Sequence, residues 1–127
     1  MIRWTEDRKI QKRISVLLNR LGLNFIDPKG LHFVRSTGAE TRALARIWGL
    51  GKIWQQTLNL KPHYIIEAVS ERYDRLSDKE KDKILIHELS HIPKNFSGSL
   101  LPHIRHGKRS FRKRVDSLID KYLKYKA

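Results

Sequence analysis

The chain has no cysteine, a single methionine, and no apolar run near the ~20 residues that a membrane-spanning helix needs. Without thiols there can be no disulfide staple and no thiolate metal site, so any metal must be held by His, Asp or Glu. Acidic residues are scarce as well: 13 Asp and Glu face 27 Lys and Arg, for a net charge of +14. Such an excess attracts polyanions, and nucleic acid is the commonest of these inside cells. The opening "MIRWTEDRKI" lacks the apolar core of a signal peptide, which predicts a cytoplasmic protein with no membrane association.

What is present suits one domain spanning residues 1–127, with 39% hydrophobic residues and three Trp to build a core. "TEDRKIQKRISVLLNRLG" reads as an amphipathic helix with Thr5 as N-cap, Glu6 and Asp7 in the first turn, and Gly22 at the exit. Its Ile10, Ile14, Leu17, Leu18 and Leu21 follow the 3.6-residue period. "LHFVRS" and "TRALARIW" read as short strands around a "TGAE" turn, and "HYIIEAVS" as a third. "GLGKIWQQTLN" between them suits either a short helix or an irregular connection. From about residue 108 to 125 the periodicity predicts a basic amphipathic helix with Phe111, Val115, Leu118, Tyr122 and Tyr125 on one stripe. The expected fold is α+β: a short mixed or antiparallel sheet packed on a central helix, flanked by N- and C-terminal amphipathic helices.

The central helix carries the chemistry. In "SDKEKDKILIHELSHIP", Ser77 and Glu80 form an S-x-x-E capping box, and Pro93 ends the helix, expected over about 78–91. Its most apolar stretch nevertheless holds His87, Glu88 and His91, polarity that a dry core does not accommodate uncompensated. At i and i+4 the two imidazoles lie about 40° apart on one helix face, close enough to grip one Zn²⁺. Glu88 projects about 100° round from His87, beside such an ion, where it can accept a proton from the water that the ion activates.

A catalytic zinc takes three protein ligands, so a third must come from elsewhere. His103, brought back by a loop turning at Gly98 and stiffened by Pro102, is the expected ligand, at one Zn²⁺ per chain. His106 is a substitute ligand, a proton donor to the transition state, or a surface residue of a basic stretch. Glu67 is the outside candidate if the third ligand is a carboxylate. His32 and His63 fall on strands and read as structural. Arg105, His106 and Tyr64 are candidate oxyanion stabilisers.

The blocks "ARIWGLGKIWQQTL" and "HYIIEAVSERYDRLSDKEKDKILIHELSHIPKNFSGSLLPH" resemble the metallopeptidase family known from phages and archaea, which shares a HELxHIPxxFxGxLxPH-type signature. The resemblance runs from about Leu31 to His106. It implies a small zincin-like fold and a zinc site at His87, His91 and His103, with Glu88 catalytic. The spacing departs from the metzincin pattern, since eleven residues separate His91 from His103.

Three functions compete on these residues. The first is a zinc-dependent peptidase that could hold an extended peptide or protein substrate by edge pairing along "HYIIEAVS". The second is a metal-dependent nuclease using the same centre. The third is a non-enzymatic nucleic-acid-binding protein with a structural zinc. "KRSFRKR" supplies Lys108, Arg109, Arg112, Lys113 and Arg114 as nucleic-acid contacts, with Phe111 either stacking on a base or packing inward.

Overall fold

The computed structural model describes residues 1–103 and 110–126. The first strand is β1 (Arg3–Glu6), and its presence moves the start of the first helix. Thr5 is paired in β1 opposite Arg35, so it cannot cap α1 (Arg8–Leu21), and Glu6 lies in the strand too. Asp7 takes the capping role, accepting from the Ile10 amide at 3.1 Å. Gly22 closes α1 at φ 65°, the left-handed exit that glycine adopts without penalty.

A 3-10 turn at Pro28–Gly30 leads into β2 (Leu31–Thr37), followed by β3 (Ala45–Gly49), α2 (Lys52–Leu58), β4 (Tyr64–Val69) and the one-turn α3 (Ser70–Tyr73). The ambiguous "GLGKIWQQTLN" thus contains a helix. The sheet is four-stranded and mixed, in the order β1-β2-β4-β3. β2 and β3, close in sequence, are not partners, because β4 lies between them, parallel to β2 and antiparallel to β3. This overturns edge pairing along β4: both its sides are already hydrogen-bonded, and the sheet's edges are β1 and β3.

The helices α1 and α4 (Asp78–Leu89) cover one sheet face, and the C-terminal helix packs against both of them. Ile10, Ile14, Leu17 and Leu21 of α1 meet Leu31 of β2 and Tyr64, Ile66 and Ala68 of β4. α4 adds Leu85, Ile86 and Leu89, and α5 (Ser110–Lys126) adds Tyr122. Each fully buried aliphatic side chain contributes roughly 1.5–3 kcal/mol. Polar ties fix the layer: Arg13 of α1 pairs with Asp82 of α4 at 2.7 Å, and the Tyr122 hydroxyl of α5 donates to the same carboxylate at 2.6 Å. Tyr125, expected on the buried stripe of α5, is 61% exposed, with the Arg20 guanidinium over its ring.

Among the described residues, no helix lies on the opposite sheet face. Trp4, Val34, Ile65 and Trp48, one from each strand, line a shallow apolar concavity of about 470 Å³ there. Beneath Trp48 lies Glu67, fully buried, bonded by Arg46 at 2.8 Å and by the Trp48 indole at 2.8 Å. Burial alone would raise the Glu67 carboxyl, but the bonds from Arg46 and Trp48 outweigh it and hold the group below its ordinary range. Among the described residues, no helix is long and apolar enough to cross a membrane.

Candidate metal centre

The expected capping box forms at the head of α4: the Ser77 hydroxyl accepts from the Glu80 amide, and the Glu80 carboxylate from the Ser77 amide. The helix ends at Leu89, two residues earlier than its spacing suggested. Ser90 to Ile92 continue as a tighter turn, in which the His91 amide bonds the Glu88 carbonyl rather than the one four back. His87 and Glu88 therefore occupy the last helical turn, and His91 follows just beyond it.

The loop after Pro93 is built to return. Gly98 has φ +95°, and a Cβ there would stand 2.3 Å from the Leu50 carbonyl oxygen and 2.4 Å from Gln55 Nε2. The Tyr64 hydroxyl, on a fully buried side chain, accepts from the Gly98 amide at 2.7 Å and donates to the Ser99 carbonyl at 2.8 Å. Gln55 of α2 donates to the Leu50 and Ser97 carbonyls. The loop then clasps the helix end: the Leu101 amide bonds the His91 carbonyl at 2.7 Å, and the Leu101 carbonyl meets His91 Nδ1.

That clasp delivers His103. Donor nitrogens of His87, His91 and His103 all lie within 4.8 Å of one another, and the His87 and His103 Nε2 atoms are 3.0 Å apart. A carbonyl can only accept, so the Leu101 bond puts the His91 proton on Nδ1 and leaves the Nε2 lone pair free. Burial, reinforced by the neighbouring His91 and His103, pushes His87 down to about 4, so it is a neutral donor at neutral pH. Burial also lowers His91, against the raising effect of its Leu101 bond. Three imidazoles converging on one point are a donor set that fits a divalent metal ion.

Two further groups complete the centre. Glu88 is 8% exposed, its carboxylate 4.0 Å from His87 Nε2, and burial raises it to about 7. Phe111, at the start of α5, seats all three imidazoles: its ring stacks on His91 at 4.4 Å and meets His87 and His103 edge-on at 5.3 and 5.2 Å. Phe111 is thus packed inward rather than available to a base.

The other candidates lie elsewhere. Glu67 belongs to the Arg46–Trp48 cluster, outside the three-histidine group. Tyr64 is committed to the loop. His32 and His63 bond each other at 2.9 Å. Arg105, His106, Lys108 and Arg109 lie outside the described residues. On α5, Arg112 and Lys113 are exposed, but Arg114 turns inward to donate to the Ile92 carbonyl at 2.6 Å. The seat at Phe111 and the clasp at Leu101 were not foreseen. The apolar stripe of α5 marks Phe111 as buried, but nothing in its spacing names the rings it meets.

Fold and site define an α+β protein with a three-histidine group able to hold a metal ion. The chain matches the family described as "Putative phage metallopeptidase" over residues 2–121, and it belongs to that family. No curated protein and no solved structure matches it significantly.

Proposed function

We propose that the protein is a zinc-dependent peptidase of the HExxH type with a zincin-like arrangement, in which His87, His91 and His103 hold the ion. The observation that carries this reading is Glu88, a buried carboxyl near 7 beside three converging imidazoles. A zinc ion so held polarises a substrate carbonyl and acidifies water. Glu88 takes the proton of the attacking water on its carboxylate and passes it to the leaving amine nitrogen, a transfer suited to a group whose pKa matches the working pH. Phe111 and Leu101 keep the imidazoles in position through the cycle. An extended substrate pairs with the free edge of β3, the strand at the sheet's border against which α4 packs.

Elemental analysis of the purified protein and of His103→Ala tests the centre, with about one zinc per chain expected in the first and a large loss in the second. Glu88→Gln is expected to keep its zinc and lose peptide hydrolysis by at least about a hundredfold, in line with loss of a general base. Peptidase activity surviving in that variant overturns the mechanism.

Nucleic acid is a second ligand under this reading, favoured by the +14 charge and by exposed Arg112 and Lys113. Labelled DNA and RNA incubated with and without chelator distinguish a nuclease from a peptidase that merely binds polyanions.

A further inference from the structure

The charge surplus is concentrated in two neighbouring helices. α1 holds five Lys and Arg and no acidic residue, and α5 holds six against two Asp. The active-site helix α4, by contrast, carries three Lys against four Asp and Glu. α1 and α5 pack together, with the Lys121 ammonium donating to the Leu21 carbonyl at 3.0 Å.

One face of α1 opens a groove of about 380 Å³ lined by Lys9, Lys12, Arg13, Val16, Leu17 and Arg20, with Asp82 of α4 at its wall. These positions follow the i, i+3, i+4, i+7 spacing of a single helix face, so the cations stand in a row. From Lys9 to Arg20 that row is about 16 Å long, at 1.5 Å per residue.

The row is not neutralised from within. Arg13 pairs with both Asp82 and Asp78, and counting these two carboxylates against the groove's four cations leaves a surplus of two. Lys9, Lys12 and Arg20 make no ion pair among the described residues, and Arg20 lies over the Tyr125 ring at 5.0 Å. Arg8, exposed at the head of α1, and Lys121 at its tail extend the positive face. The outer face of α5 is mixed instead: Lys113, Lys121 and Lys124 share a depression with Asp116 and Asp120.

We propose that this face of α1 docks the protein on a nucleic-acid duplex, gripping phosphates without reading sequence, and that nucleic acid is thereby a tether and not the substrate of the metal centre. A straight row of cations suits a linear polyanion. A duplex carries one charge per roughly 1.7 Å of axis, or about ten alongside this row. A membrane fits less well, because an interfacial helix needs an exposed apolar face. That of α1 is occupied by the core, which leaves Val16 in the groove at 47% exposure.

The position of the groove separates docking from chemistry. α5 runs from Phe111, against the three imidazoles, to Tyr122, bonded to Asp82 at the groove. Eleven residues of helix set the two apart by about 16 Å. The inference rests on nucleic acid as a second ligand and is independent of the peptidase reading.

Fluorescence anisotropy with a short labelled duplex across a salt series tests it. Lys9→Gln, Lys12→Gln and Arg20→Gln together are expected to lower the salt slope by about three and to weaken binding at least about tenfold at low salt. The loss should be equal for two duplexes of unrelated sequence. Lys9→Gln with Lys12→Gln alone, at two exposed side chains without an ion pair, is expected to keep the melting temperature and lower the slope by about two. The duplex should be recovered uncut. No salt-dependent binding by the wild type overturns the nucleic-acid reading itself, whereas wild-type affinity in both variants overturns this surface alone. Tighter capture by phosphatidylserine vesicles than by the duplex at equal salt assigns the face to a membrane and overturns the proposal. A duplex cut by the wild type but not by His103→Ala overturns the tether and makes nucleic acid the substrate.

Discussion

A glutamate that burial holds near 7 stabilises nothing as a carboxylate; it opposes folding whenever it is charged. The sign follows from linkage. Glu88 is raised above its unfolded value near 4.5, so the folded state loses relative stability as pH climbs from about 4.5 to 7, and the penalty is complete above that. Two and a half pKa units set an upper figure of about 3 kcal/mol. Metal-free Glu88→Gln is therefore expected to be more stable than the metal-free wild type at pH 8. Urea melts across pH should show that gap closing below about 4.5. A Gln variant less stable than wild type at pH 8 would mean that the carboxylate has a structural partner. Glu67 is the opposite case, with Arg46 and Trp48 bonded to a carboxylate held below its ordinary range. Burial alone separates neither their roles nor their protonation; what touches each carboxylate does.

At the scale of elements, α4 and the loop after it form one device. The helix fixes His87, the tighter turn at its end fixes His91, and the loop, bent at Gly98 and hung from Tyr64 and Gln55, carries the third imidazole back to them. Gly98→Ala demands a left-handed backbone from alanine and drives its Cβ into the Leu50 carbonyl. It is expected to destabilise the protein by about 1–3 kcal/mol and to weaken zinc binding at least tenfold, measured by competition with a chromophoric chelator. Undiminished zinc affinity in a destabilised variant would separate the loop from the centre.

Much of this device is legible in the residues themselves. The Ser77–Glu80 box and Pro93 bracket α4 because capping and proline chemistry are local. The i, i+4 spacing marks His87 and His91 as neighbours, although His91 falls in the tighter turn just past the helix end. Strand order is not legible: alternation says which face a residue takes, not which strand lies beside it, so β4's insertion between β2 and β3 leaves no mark. Thr5 and Asp7 are both sound N-caps, and only the pairing of β1 with β2 decides between them. Tyr125 keeps the period of the α5 stripe yet is exposed.

Across the whole molecule, charge and apolar surface are distributed unevenly. At the metal centre His91 is buried, His87 partly so and His103 exposed, while the bare sheet face presents Trp4 and Trp48 to solvent at 53% and 48% exposure. The net charge of +14 makes polyanion binding a property of the surface as a whole. If α5 is a nucleic-acid contact, replacing Arg112 and Lys113 with Glu should weaken binding uniformly across sequences and lower the salt slope by about two. Fluorescence anisotropy with labelled DNA at several salt concentrations measures both. An unchanged slope would assign the contact to another face.

Phe111 gives the centre a place in time as well as in space. A chain that ends at residue 103 already carries the three imidazoles and Glu88, but not the ring on which they rest. Chains truncated after residue 103 are therefore expected to retain zinc far more weakly than chains that include α5. On the proposed activity, hydrolytic competence arrives only once the C-terminal helix has docked.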